Sequence, residues 1–406
     1  MNWKTWTGTA TFWKTLSIEK RSKLPLGRIP FRFMGIRCAP ITGEIWVAGF
    51  WPRSVVASLA RKMNAFHVLI PFRESRLAEP EDGFMKPLSI IFLIACTLSA
   101  IAVPVISNAA DQPAREVAIT IDDLPAGSAN TMSAATITEM TTKLLTTLRD
   151  QKIPVVGFVN ERKLYKFGEV DERIKALRMW LDYGFELGNH TYSHSSLNQV
   201  GLQAWEDDVV QGESVTKLLL AEHNMKLRYF RHPFLDTGRD LQTRRQAEAF
   251  LVARGYRIAS VTLDAWDWMY AGVYEDAKKR GDTALQDELM RSYLSYSDQV
   301  FAYSEQLAKQ TIGYEPKQIL LLHGNQLEAD HIGELLDVMR KRGYHFITLA
   351  DALSDQAYGL PDTYVGEEGT GWLDHWAIAL GKPPQGPPVF PQWVIDRSKV
   401  LHQPQP

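Results

Sequence analysis

Cysteine is nearly absent from this chain: of 406 residues only Cys38 and Cys96 carry a thiol. Everything downstream of Cys96 therefore lacks a thiol nucleophile, a thiolate ligand or half of a disulfide. A strong net charge is absent too, with 45 Lys and Arg against 47 Asp and Glu. That balance hides an asymmetry. Residues 1–84 hold 13 basic against 6 acidic side chains and residues 111–406 hold 31 against 41, so a prefix at +7 is averaged with a body at −10. An acidic body lacks the basic face that phosphate contacts need, which excludes nucleic acid as the expected partner. Internal repeats are absent as well.

What is present begins with one long apolar run, Leu88 to Ile106, interrupted by Pro104. Met85-Lys86 precedes it and Ser107-Asn108-Ala109-Ala110-Asp111 follows it. A short basic start, an apolar stretch and small residues describe a secretory signal peptide at 85–110, cleaved after Ala109 or Ala110. The alternative, a transmembrane anchor, wants about 20 apolar residues and firm flanking charges. Leu93-Ile94-Ala95-Cys96 superficially suits lipidation, but the apolar run continues past Cys96. A signal that starts at Met85 implies that residues 1–84 are a spurious N-terminal extension. Their tryptophans (Trp3, Trp6, Trp13, Trp46, Trp51) follow no helix or strand period. A genuine cytoplasmic extension, making the signal an internal anchor, is the other account. The expectation is an exported protein, periplasmic or secreted, with residues 111–406 as its domain and no stable membrane anchor after cleavage.

From residue 117 onward, strand-like and helix-like segments alternate. Residues 117–121 read as a strand; Ile137, Met140, Leu144, Leu145 and Leu148 then recur at helical spacing. Strands follow at 155–159, 185–187, 229–230, 256–259, 319–322 and 345–347. Helices are expected at 174–181, 209–220, 241–254 and 332–341. About seven strand–helix units imply a parallel sheet closed or nearly closed into a barrel. Residues 270–313, rich in tyrosine (Tyr270, Tyr274, Tyr293, Tyr296, Tyr303), form an expected helical insertion, either a packing appendage or a substrate lid. Residues 361–406, with Trp372, Trp376 and Trp393 among many Pro and Gly, read as an irregular C-terminal arm whose tryptophans are packing anchors.

Five short motifs fall at or just beyond strand ends, where such barrels carry their active sites. They are Thr120-Ile121-Asp122-Asp123, His190-Thr191-Tyr192-Ser193-His194, Arg231-His232-Pro233-Phe234, Asp264-Ala265-Trp266-Asp267-Trp268 and Leu320-Leu321-Leu322-His323. His190 and His194 are four apart, so on a helical turn both rings face one ion, and Asp123 completes a His₂Asp face. Three protein ligands leave an open position, the pattern of a catalytic site; nitrogen and carboxylate donors fit zinc first, with cobalt, nickel or iron as alternatives. Neighbouring side chains at a strand end point to opposite sides, so one Asp serves as ligand and the other as base. Alone, an Asp pair before Pro125 reads as a turn or cap. Arg231 is placed to clamp Asp122 and keep it ionised, and the Phe234 N–H to face a developing oxyanion. His323 emerges from a buried strand and becomes a general acid if Asp267 raises its pKa. Asp264, Trp266 and Trp268 shape the pocket; His223, His232, His331 and His345 are read as structural.

These motifs together resemble the polysaccharide deacetylase family (NodB homology, carbohydrate esterase family 4) over residues 117–351. The resemblance implies a distorted (β/α)₇ barrel. It implies Asp122 as base, Asp123, His190 and His194 as metal ligands, and Arg231 holding Asp122. It also implies Phe234 in the oxyanion hole, Asp267 tuning His323, His323 as acid, and Trp268 as a pocket wall. The reaction implied is metal-dependent removal of N-acetyl groups from an acetylated sugar polymer or oligomer. Alternatives are an O-acetyl xylan-type esterase, hydrolysis of a small amide or cyclic imide, and a silent glycan-binding protein. The chain departs from the family pattern at Leu124, where glycine is usual, at Phe234-Leu235, where tyrosine then glycine is usual, and in the long gap between the fourth and fifth motifs. These departures are expected to alter the loops around the cleft.

Overall fold

In the computed structural model, which describes residues 114–401, the sheet is organised around β1 (Arg115–Leu124). The other strands are β2 (Val155–Val159), β3 (Glu186–Asn189), β4 (Tyr229–Phe230), β5 (Arg257–Ile258), β6 (Leu263–Asp264), β7 (Gln318–His323) and β8 (Tyr344–Phe346). Seven run in the order β5-β4-β3-β2-β1-β7-β6, with β8 paired to the start of β1. All pairings are parallel. The path ends on β5 and β6, consecutive strands that are not hydrogen-bonded to each other. The sheet is therefore curled and open on that side, the distorted (β/α)₇ arrangement. The expected signal peptide and the 1–84 extension lie outside the described residues.

β1 is central because both of its faces are apolar: Val117, Ala118, Ile119 and Ile121 are all essentially without exposure. A strand buried on both sides reads as a continuous hydrophobic run, which is why β1 and β7 were legible. The helix Ala134–Asp150 buries Ile137, Met140, Leu144, Leu145 and Leu148, and Ser133 caps it by accepting from the Thr136 N–H at 3.1 Å. Because every strand runs the same way, the residues that follow β1, β3, β4, β6 and β7 emerge on one rim.

Two expectations need correction, the 209–220 helix and the irregular C-terminal arm, while β6 is an addition and the 270–313 insertion is helical as expected. β6 is a strand that sequence pattern does not reveal: two residues cannot show a period, and pairing with Leu320 and Leu321 alone defines it. The helix expected at 209–220 is two helices, Leu202–Gln211 and Ser214–Glu222. The break falls at Gly212, where a Cβ would run into the backbone of Thr191 and Tyr192, so the chain passes too close for any side chain. The 270–313 segment forms the helices Asp267–Arg280 and Thr283–Ile312, and Tyr270, Tyr274, Tyr293 and Tyr296 are buried in their packing rather than presented to a cleft. The C-terminal arm is less irregular than expected, with helices at Trp372–Ala379 and Gln392–Leu401; Trp372 and Trp376 are buried and Trp393 half-buried.

Candidate metal centre and active site

β1 and β7 run in register with Asp122 beside His323, so the first and fifth motifs meet as neighbours on the rim. β3 ends at Asn189 beside Phe230 of β4, which delivers His190 and Arg231 from adjacent strand ends. Asp123, His190 and His194 offer one donor atom each, all within 4.8 Å of one another. His194 Nε2 lies 3.5 Å and His190 Nε2 4.0 Å from Asp123 Oδ1.

The two histidines come together by a different route from the helical turn that their spacing suggested. Residues 190–196 form no helix. Thr191 and His194 adopt positive φ values of 61° and 60°, and these two left-handed steps fold the segment back so that the rings sit 4.8 Å apart. Such backbone is costly for non-glycine residues and must be held from outside. Asn160 Nδ2 donates to His190 O at 2.6 Å, and Asn189 Oδ1 accepts from the Thr191 N–H at 2.7 Å. Asp208 accepts from the Ser193 N–H at 3.1 Å and from its hydroxyl at 2.8 Å.

The aspartate pair also departs from strand geometry. β1 is irregular between Ile121 and Leu124, and Asp123 sits at φ 72°. Consequently both carboxylates reach the same ring: Asp122 Oδ2 is 3.6 Å from His190 Nε2, and Asp123 Oδ1 is 4.0 Å from it. The expected opposition of the two side chains fails because a left-handed residue breaks the pleat.

The donor set fits a divalent metal. Burial, and then the neighbouring His194, push His190 well below the usual imidazole range; burial likewise lowers His194 to about 4 against the opposing pull of Asp123. Both rings are therefore neutral, the form that binds a metal. His190 Nδ1 is 2.9 Å from Arg231 O, which leaves Nε2 for the centre. Burial opposes the Asp123 charge, but Lys163 and the surrounding imidazoles hold that carboxyl well below its usual range. Its Oδ1 is buried without a hydrogen-bond partner, although the Lys163 ammonium lies 2.9 Å away out of alignment.

Asp122 behaves differently. Burial raises it to about 6, and Arg231 and His323 only partly oppose the shift. Arg231 is fully buried, but its contact is long: Nη1 is 3.4 Å from Asp122 Oδ2, while Nη2 donates to Thr120 Oγ1 at 2.8 Å. Desolvation thus outweighs Arg231 in setting the Asp122 value, which at about 6 still leaves the carboxyl ionised at neutral pH. Asp122 Oδ1 has no hydrogen-bond partner.

On the other side, His323 Nδ1 lies 2.8 Å from Asp267 Oδ1, and the His323 N–H donates to Asp267 Oδ2 at 2.9 Å. Burial opposes its charge, yet Asp267 wins and pushes His323 up to about 10. Phe234 stands at φ 57° with its ring edge-on to His194 at 4.4 Å between centroids. Trp268 is partly exposed on the first turn of the Asp267–Arg280 helix. Asp264 Oδ1 accepts from the Trp266 N–H at 2.9 Å, and burial raises Asp264 to about 6. His232 is buried and stacked on Trp205, with ring centroids 5.4 Å apart, away from this cluster of donors.

The two departures from the family pattern do not line the cleft as expected. Leu124 is buried, its side chain lying over Gly157 and Gly324 beneath the rim. Leu235 is buried in an apolar cluster that also holds Val261, Leu321 and, from the C-terminal arm, Trp372, Leu373 and Trp376. In each case the apolar side chain turns inward because packing space is open there.

Two site residues carry no motif and were not anticipated. Lys163 reaches Asp123 from the short turn Glu161–Leu164 after β2. Asn325 Nδ2 donates to Asp267 Oδ2 at 2.7 Å while its Oδ1 caps the helix Gln326–Lys341. An Asn at a helix start two residues after His323 was the available signal for the second; nothing in the sequence signals the first.

Lys163→Met is expected to tighten binding of a divalent ion by about tenfold, because a unit positive charge near the centre is removed. Titration calorimetry with Zn2+ on the wild type and the variant checks this, and equal or weaker affinity in the variant contradicts it.

Residues 109–253 match the family model described as Polysaccharide deacetylase. No curated protein sequence matches. Among solved structures, similar chains include a family 4 carbohydrate esterase from Streptomyces lividans in complex with acetate. It is 18% identical with TM-score 0.38, covering 59% of this chain and 95% of that one. The peptidoglycan deacetylase PdaC from Bacillus subtilis is 16% identical with TM-score 0.38, covering 59% and 90%. BA3943 from Bacillus anthracis, described as a pseudoenzyme of carbohydrate esterase family 4, is 17% identical with TM-score 0.39, covering 60% and 66%. Likenesses at these values carry no argument about the chemistry of this chain.

Proposed function

We propose that the protein is a metal-dependent hydrolase that removes N-acetyl groups from an N-acetylamino-sugar polymer or oligomer. The observation that carries this reading is the placement of Asp122 beside His323, in register across β1 and β7 and next to the Asp123–His190–His194 cluster, with burial raising the carboxyl and Asp267 raising the imidazole. Both groups are raised, His323 by more than Asp122, so across the interval between them one site holds an ionised carboxylate as base and a protonated imidazole as acid.

Asp123, His190 and His194 would hold the metal, with zinc the best match to two imidazoles and one carboxylate. When bound, such an ion supplies a Lewis acid and lowers the pKa of a coordinated water. Asp122, with its free Oδ1, takes the proton as water attacks the acyl carbon. The Phe234 N–H faces the oxyanion that develops, and Trp268 forms a wall for the acyl group. His323 enters the reaction protonated, oriented through Nδ1 by Asp267, which Asn325 holds in turn, and gives its proton to the departing amine. An intact base and acid favour catalysis over silent glycan binding.

Acetate release from chitooligosaccharides, peptidoglycan and acetylated xylan, with metal content measured on the same preparation, tests the reading. Release from the xylan alone assigns an esterase; no release from any of them by a metal-loaded protein refutes deacetylation. Export, proposed from the signal at 85–110, is checked by N-terminal sequencing of protein recovered outside the cytoplasm. No helix among the described residues is long and apolar enough to cross a membrane.

The pH profile follows from the two groups. Activity requires Asp122 deprotonated and His323 protonated, so it rises as pH passes the Asp122 value and falls as pH passes the His323 value. A bound cation favours the Asp122 carboxylate and disfavours the His323 imidazolium, so the acidic limb has its midpoint at or below about 6 and the alkaline limb at or below about 10. Replacing Asp267 by Asn removes the charge that raises His323, so the alkaline limb moves to lower pH. An alkaline limb that stays in place in that variant excludes His323 as the acid.

A further inference from the structure

Phe234 and Leu235 are consecutive non-glycine residues in left-handed backbone, at φ 57° and 56°. Two such steps in a row are unfavourable for residues that carry a Cβ, so contacts outside the turn must impose them. Those contacts come from the C-terminal arm. The Gly369 N–H donates to Asp236 Oδ1 at 2.8 Å, and Asp236 Oδ2 accepts from the Ser196 hydroxyl. Gly369 approaches the turn so closely that a Cβ there would run into the backbone of Phe234 and Leu235. The Leu235 side chain is buried with Trp372, Leu373 and Trp376.

A second set of bonds fixes the arm itself. Asn198 bridges the two segments: its Oδ1 accepts from the Gly238 N–H at 3.0 Å, and its Nδ2 donates to Gly366 O at 3.1 Å. Arg244 holds Asp362 and donates to Tyr364 O at 2.7 Å, while His375 Nδ1 lies 2.8 Å from Asp362 Oδ2. On its opposite side the same turn presents the Phe234 ring to His194. The arm therefore touches the backbone whose other face touches a candidate metal ligand.

We propose that residues 362–372 are a positioning element of the active site, a strap that holds the Phe234–Asp236 turn in its left-handed form and thereby aims the Phe234 N–H. Leu235 is the plug by which the turn is anchored, a role that glycine at this position could not fill. The effect on turnover rests on the deacetylase reading; the effect on the turn does not.

The test uses the full chain with Leu235→Ala, which removes the plug, Leu235→Met, which keeps an apolar one, and Gly369→Ala, which forces the strap off the turn. In the first and third, amide hydrogen exchange over residues 233–237 is expected to rise at least about tenfold, and kcat for acetate release to fall by a similar factor with KM within about twofold, as a small misplacement of a stabilising group predicts. Zn2+ affinity is expected to change less than about threefold, and Leu235→Met is expected to restore most of the rate. If Gly369→Ala does not fold, Leu235→Ala decides. Unchanged exchange over 233–237 in a folded Leu235→Ala variant overturns the strap whatever its activity. An inactive wild type with the predicted exchange result sinks the deacetylase reading and leaves the strap standing.

Discussion

Asp122→Asn is expected to lower kcat by about 10³-fold while the protein keeps its metal. Asparagine matches the aspartate in volume but cannot accept a proton at neutral pH, and a positioned base is worth roughly 10²- to 10⁴-fold. The site makes this substitution unusually clean. Asp122 is almost fully buried, so Asn introduces no new exposed surface, and its Oδ1 has no hydrogen bond to lose. Asp122 also lies outside the cluster of three donors, so metal stoichiometry is expected to remain near that of the wild type. One cost is foreseeable. Arg231 is fully buried and loses its carboxylate partner, keeping the bond to Thr120 and the face of Phe158, 4.9 Å from the ring centroid. Removing one member of a buried pair is destabilising, so the melting temperature should fall even though the fold is kept. Rate, KM and metal content measured on one preparation decide the matter. Loss of metal equal to the loss of rate would make Asp122 a ligand and remove it from the role of base.

His190→Ala is expected to abolish both metal binding and activity. His190 is the most deeply buried of the three donors, and burial is what keeps its ring neutral and ready to bind. Changes to groups that merely orient a metal ligand cost about 10–100-fold in affinity, so removing a ligand should cost more than that. His194→Ala should be milder, because its side chain is 24% exposed and water can replace its donor. The ordering of the two variants in metal affinity, read by calorimetry with Zn2+, is therefore part of the prediction. Full metal stoichiometry in a folded His190→Ala variant would displace the site from this cluster.

Legibility in the sequence followed burial and length. β1, β2 and β7 are buried on both faces and several residues long, and they stood out as apolar runs. β6 did not, because two residues have no pattern and exist as a strand only through β7. The chemistry-bearing residues were legible as types at strand ends; their geometry was misread in two places. The His190–His194 spacing suggested a helix, and the Asp122–Asp123 pair suggested opposed side chains. Positive φ at Thr191, His194 and Asp123 overturned both, and such angles in non-glycine residues leave no trace in composition or period. Lys163 was invisible for the same kind of reason: a lysine in a turn after β2 has no meaning until β1 lies beside it.

The sequence by itself determined the alternation of strands and helices, the order of the five motifs, and the inventory of side chains they bring to one rim. Those are local properties, written in hydrophobic period and residue type. The tertiary structure alone decided that burial outweighs Arg231 at Asp122, that Leu124 and Leu235 face the body instead of the cleft, and that the C-terminal arm reaches the Phe234 turn. Each of these depends on which groups, distant in the chain, exclude water from one another, and that exclusion is a property of the packed molecule.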